Sequence, residues 1–128
     1  MKNKISITPF LTVSNCANAI AFYTSAFGAT EVSRYNVLDG KIGATLNIEG
    51  AEFYLSDEEP EFGNTAPNIS SVTHSVRIIL TTPNADKIFE NALLQGATQI
   101  CPMTTEEEWR IGKLKDPFGH LWEIGYTL

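Results

Sequence analysis

Few side chains in this sequence are of types that do chemistry unaided. There are two histidines, His74 and His120, and two cysteines, Cys16 and Cys101. Imidazole and thiolate together make transition-metal sites, yet neither CxxC nor HExxH spacing is present, and no GxSxG elbow or phosphate-binding glycine loop offers another chemistry. The cysteines are 85 positions apart, so each is expected to be a buried or semi-buried free thiol; a thiolate nucleophile is the less favoured reading, since free cysteines are commonly withdrawn from solvent. The histidines flank a strand start and a turn, where structural or surface roles are expected for both. Glu106, Glu107 and Glu108 form an acidic run that reads as a solvated face. Beside it, Trp109 and Arg110 are candidates for stacking on and contacting a ligand; the competing reading is a tryptophan packing its loop onto a sheet next to a solvated arginine.

The elements that must position these residues are written twice. Val13 to Gly28 opens with Ser14 and Asn15 as helix caps, carries Ala19, Phe22, Tyr23, Ala26 and Phe27 at helical spacing, and stops at Gly28. Thr81 to Gly96 repeats the plan with Asn84 as cap, a stripe of Ala85, Ile88, Phe89, Ala92 and Leu93, and Gly96 as terminator. Both run into the same tripeptide, Gly28-Ala29-Thr30 and Gly96-Ala97-Thr98. Strand-like runs precede the helices at Ile5 to Val13 and Ser75 to Thr81. Three more strands follow each: about Glu31 to Asn36, Ile42 to Glu49 and Glu52 to Ser56, then about Gln99 to Cys101, Ile111 to Lys115 and His120 to Thr127. Asp39-Gly40, Gly50 and the type I turn Asp116-Pro117-Phe118-Gly119 divide them, and Pro102 to Glu108 reads as a loop. The unit is βαβββ, duplicated: a first module at about 4–57, a linker at about 58–72 and a second module at about 73–128, all in one domain.

Composition agrees with one folded domain and narrows the partners. A chain of 128 residues, 43% hydrophobic and 19% charged, can bury a real core. A net charge of −6 repels phosphate backbones, so nucleic acid is not expected as a partner. The first residues lack the apolar run of a signal peptide or spanning helix; no membrane contact and a cytoplasmic location are expected.

The βαβββ-βαβββ order resembles the vicinal oxygen chelate superfamily, which includes glyoxalase I, bleomycin-resistance proteins and extradiol dioxygenases. Ile7-Thr8-Pro9-Phe10-Leu11-Thr12-Val13, Ala19-Ile20-Ala21-Phe22-Tyr23, Ala26-Phe27-Gly28-Ala29, Trp109-Arg110-Ile111-Gly112 and Asp116 to Glu123 look like its PhnB-like branch. The resemblance implies an α+β, glyoxalase-like fold in which the two modules wall an open, cup-shaped mixed sheet. It also implies a homodimer, and, in metal-dependent members, four ligands from the first and last strands of each module. Alignment of the modules puts those positions at Thr8, Tyr54, Arg77 and Glu123, with 69 positions separating Thr8 from Arg77 and Tyr54 from Glu123. The glycine pairs Gly50 and Gly119, and Gly43 and Gly112, share the same offset.

Only Glu123 is a conventional ligand for a divalent ion. Thr8 is a weak neutral donor, Tyr54 would have to ionise, and the Arg77 guanidinium has no lone pair and repels a cation. The expectation is therefore a cup without metal or other cofactor, in which Arg77 pairs with Glu123. It would bind a small organic molecule, an anion favoured, through Thr8, Tyr54, Arg77 and Glu123. Trp109 and Arg110 are further candidates, and Phe10, which shares Thr8's face by two-residue alternation, supplies apolar wall. No residue is assigned a catalytic role. The alternative is an enzyme of the same superfamily, a metal-dependent lyase, isomerase or dioxygenase.

Overall fold

A computed structural model describes residues 4–128. Each half of the chain forms a four-stranded mixed sheet with one helix laid on it. The first comprises β1 (Phe10–Val13), α1 (Cys16–Phe27), β2 (Thr30–Asn36), β3 (Ile42–Ile48) and β4 (Ala51–Asp57); the second comprises β5 (Ile78–Thr81), α2 (Ala85–Leu94), β6 (Thr98–Thr105), β7 (Trp109–Lys115) and β8 (Leu121–Thr127). Strand order is β1-β4-β3-β2 and β5-β8-β7-β6, with the first strand of each module parallel to the last and the other pairs antiparallel. This is an open α+β fold of two βαβββ modules. Among the described residues no helix is long and apolar enough to cross a membrane.

Local chemistry explains the element ends. Asn15 accepts a hydrogen bond from the Asn18 amide at 3.0 Å, capping α1, and Gly28 leaves the helix at φ 71, a left-handed conformation that costs glycine little. The cap of α2 differs from expectation: Asn84 holds the cap position without a side-chain bond, while the Thr82 hydroxyl accepts from the Asn84 amide at 3.1 Å. β1 is shorter than the sequence suggests because Pro9 has no N–H to give a ladder; residues 4–9 lie outside the strand, with Ile5 and Ile7 exposed. β5 begins at Ile78 rather than Ser75 because its partner β8 begins only at Leu121. β6 runs through Pro102 to Thr105, so the expected loop is confined to residues 106–108. It is an edge strand with register shifts on both sides of Cys101, the setting in which a proline is tolerated.

One core spans both modules. Leu11, Leu46 and Leu55 of the first sheet and Leu80, Leu114 and Ile124 of the second are buried in it with the inner faces of the helices. Trp122 lies between the halves, its ring 4.8 Å from Phe27, 5.6 Å from Phe53 and 5.7 Å from Tyr23. The Asp116 carboxylate, almost fully buried, accepts from the Phe118 and His120 amides at 2.9 and 3.0 Å, from Trp122 Nε1 at 2.9 Å, and from the Tyr23 hydroxyl of α1. Burial and the adjacent Asp116 charge push the Tyr23 phenol well above its ordinary value. His120 adds a second tie between modules: its Nε2 lies 2.8 Å from the Thr12 carbonyl.

Candidate functional site

Alternation along each strand sends one set of side chains under the helix and the other to an open face. Register then lines the open-face residues into rows. In the second sheet the row is Cys101, Lys113, Glu123 and Ile79; in the first it is Ser33, Thr45, Tyr54 and Phe10. Glu123 and Tyr54 therefore hold equivalent places, as the module alignment expects. The glycines do not all follow. Gly50 and Gly119 are both turn residues with positive φ, but Gly43 pairs with Ser56 while Gly112 pairs with Ile124. The β3–β4 turn has two residues, Glu49 and Gly50, whereas five separate β7 from β8. The β7 register is thus shifted by one relative to β3. As a result Gly43 lies beneath Tyr35 and Gly112 beneath Phe89, where a Cβ would come within 2.5 and 2.6 Å of those rings.

On the second sheet the Arg77 guanidinium reaches Glu123 in an ion pair, with side chains 59% and 15% exposed respectively. Lys113 Nζ stands 3.9 Å from the same carboxylate. Lys113 is the residue that sequence reasoning missed; the alternation of Ile111, Lys113 and Lys115 along β7 could have revealed it. On the first sheet Phe10 and Tyr54 meet edge to face at 5.5 Å, and Thr8, half-buried, lies two residues ahead of Phe10. The cavity that reaches Arg77, about 320 Å³, is lined by residues 72–77 together with Ile100, Lys113 and Leu121. None of the first-module residues lines it.

Two candidates fall elsewhere. Trp109, 45% exposed, starts β7 opposite Thr127; it shares the open face but lies four residues, ~13 Å, from Lys113. Arg110 alternates to the other side, where it contacts Asp86 in the first turn of α2 at 2.7 Å and Thr105 Oγ1 at 3.0 Å. Asp86 holds the Arg110 guanidinium above its ordinary value. The cysteines also divide. Cys16 is buried and Cys101 exposed, which corrects the expectation of two sheltered thiols; an edge strand leaves Cys101 in solvent. Burial and then the nearby Asp57 raise the Cys16 thiol to about 12.

A divalent ion does not fit this residue set. The four aligned positions offer one carboxylate, already engaged by a guanidinium, beside threonine and tyrosine hydroxyls. Among the described residues no group of three or more histidine, cysteine, aspartate or glutamate side chains is placed to hold an ion.

Paired βαβββ modules with an open face define a glyoxalase-like protein. The model of the Glyoxalase/Bleomycin resistance protein/Dioxygenase superfamily matches residues 6–124, and the chain belongs to that superfamily. An uncharacterized protein of Mycobacterium bovis is 38% identical over 125 residues, covering 94% of this chain and 82% of that one. Two solved structures show the same fold at low identity. A glyoxalase family protein from Bacillus cereus has a TM-score of 0.76 at 18% identity, covering 99% and 97% of the two chains. The fosfomycin resistance protein FosX from Listeria monocytogenes, solved with Mn(II) and sulfate, has a TM-score of 0.68 at 16% identity, covering 100% and 95%.

Proposed function

We propose that this superfamily member binds a small anionic organic molecule without a metal ion. The observation that carries the reading is the Arg77 guanidinium on the Glu123 carboxylate, with Lys113 beside it. Glu123 can satisfy only part of a five-donor guanidinium, and the remaining N–H groups suit a carboxylate or phosphate. The ligand's other side would rest on Phe10, Tyr54 and Thr8. Because the cavity at Arg77 has no first-module wall, that surface is supplied in this proposal by a second copy of the chain, as a homodimer. Phe10 at 54%, Ile79 at 59% and Val76 at 73% exposure give such a dimer apolar surface to cover. Assignment to the PhnB-like branch is part of the same proposal and is supported by the segments Ile7 to Val13, Ala19 to Tyr23, Ala26 to Ala29, Trp109 to Gly112 and Asp116 to Glu123 taken together. A cytoplasmic setting suits two free thiols.

The test is a thermal-shift screen of small acids against their uncharged isosteres, run on the native protein and on Arg77→Gln. A ligand at a hundred times its Kd stabilises by about 2.7 kcal/mol, several degrees in a domain of this size. Acids should raise Tm in the native protein and not in the variant. Equal response to acids and neutral isosteres, or no response at all, defeats the proposal. Sedimentation equilibrium tests the dimer: a monomer at all concentrations would exclude a shared cup.

A further inference from the structure

The helices of the two modules can be compared position by position from their caps, Asn15 and Asn84. In α2, Asp86, Phe89, Glu90, Leu93 and Leu94 share one helical face, and with Met103 of β6 they border a groove of about 350 Å³. Its floor is apolar: Phe89 and Met103 both lie on Gly112, Leu93 is half-buried and Leu94 is 79% exposed. Counted from the caps, α1 has Ala17, Ile20, Ala21, Thr24 and Ser25 at the same places. The first helix thus presents small and hydroxyl side chains where the second presents two leucines and two acids. The βαβββ unit does not require an apolar groove there, since its other copy folds without the leucines. The groove is also on the helix side of the second sheet, so it is separate from the open face that carries Arg77 and Glu123.

The charges along this groove define what could cover it. Asp86 is engaged by Arg110, whereas among the described residues Glu90 and, in the turn after β6, Glu106, Glu107 and Glu108 take part in no ion pair. That turn lies beside the start of α2, because Arg110 touches both Thr105 and Asp86. The one cation of α2, Lys87, is on the opposite flank, where it lines the cleft against α1. Such a rim repels anionic partners and acidic lipid surfaces and attracts cations. The free edge of the sheet does not invite an added strand: β6 contains Pro102 and has register shifts around Cys101, features that blunt an edge. A helix laid along α2 suits the space better, since Asp86 to Leu94 spans about 12 Å of helix axis, roughly two turns.

We propose that the groove between α2 and β6 is a docking surface for an amphipathic helix of another protein, apolar on the face that enters and bordered by lysine or arginine. The apolar side chains of the partner cover Leu93, Leu94 and Met103, in the manner of a helix seated in a groove. Its cations face Glu90 and the carboxylates beyond Thr105, which fixes the orientation of the helix and makes the association weaken as salt is raised.

The experiment uses the full chain and, as probe, a fluorescein-labelled amphipathic helix of leucine and lysine about four turns long, followed by anisotropy and by backbone ¹H–¹⁵N spectra of the protein. Two comparators carry the same leucines: one has glutamate in place of lysine, the other has the residues of the probe in scrambled order. The lysine peptide should bind and shift amides of α2 and β6, and neither comparator should match it. Leu94→Lys and Glu90→Lys, both at exposed positions, should leave the fold unchanged and each weaken the probe by about tenfold or more. Glu61→Lys, an equal change of charge in the linker, should weaken it less than about twofold. A scrambled or glutamate peptide that binds as tightly as the probe, equal losses in Glu61→Lys and Glu90→Lys, shifts centred on α1 and β2, or no binding at all would overturn the proposal. Sedimentation of the protein alone gives the remaining outcome: self-association abolished by Leu94→Lys would assign the groove to a second copy of this chain and overturn it as well.

Discussion

Row for row, the open face of the first sheet sets Ser33, Thr45, Tyr54 and Phe10 where the second sets Cys101, Lys113, Glu123 and Ile79. Under the helices the counterparts stay alike: Leu11 and Leu80, Leu46 and Leu114, Leu55 and Ile124, all buried. The inner positions must fill a close-packed core and tolerate little change in volume or polarity. Open-face positions carry no such demand, and there one module has become neutral and aromatic while the other has become charged. The turns differ as well. Asn47 accepts from the Gly50 amide at 2.7 Å in a tight, partly exposed turn, whereas Asp116, at the aligned position, gathers four donors in the core.

The contrast between those turns should give the largest effect. Asp116→Ala strands four donors and is expected to cost about 4 kcal/mol in urea unfolding, against roughly 0.5 to 1 kcal/mol for Asn47→Ala. Similar costs at the two sites would mean that the buried network contributes no more than an ordinary turn. The thiols offer a second contrast. At pH 8 Cys101 should react with an aromatic disulfide reagent on the order of a hundredfold faster than Cys16, which should react only on unfolding. Comparable rates would contradict the burial of Cys16.

Alkaline titration sharpens the same point. The Cys16 thiol, ordinarily near 9.0, is raised to about 12 in the fold. Between those values the unfolded chain has lost a proton that the native state keeps, so this contribution to stability is complete below about 9 and falls as pH rises through about 12. Cys16→Ala should show a flatter decline. The smallest effect on stability belongs to the open face. Arg77 is more than half exposed, so Arg77→Gln should change unfolding free energy by no more than about 1 kcal/mol, even though it should abolish the response to acids. A large loss of stability would make Arg77 a structural residue instead.

How much of this was legible depended on how local the cause was. The Asn15 cap, the Gly28 stop and the helical stripes are written within a few residues, and the duplicated unit followed from them. Strand ends were less accessible. They depended on where a partner strand began, as for β5, or on an edge that could accept Pro102. The pairing of Arg77 with Glu123 could be anticipated because both follow the 69-residue offset. Lys113 escaped because the longer β7–β8 turn moves β7 by one residue, and a shift of one exchanges faces. The Asp116 network was hidden for a different reason: its partner Tyr23 lies 93 residues away, beyond any local pattern.

That bond also fixes how the chain comes apart. A phenol from the first copy of the unit and a carboxylate from the second share one buried interior with Trp122, so neither copy can open without exposing the other's aromatic rings. Although written as two repeats, the protein should melt in a single cooperative step, with neither repeat persisting as a folding intermediate.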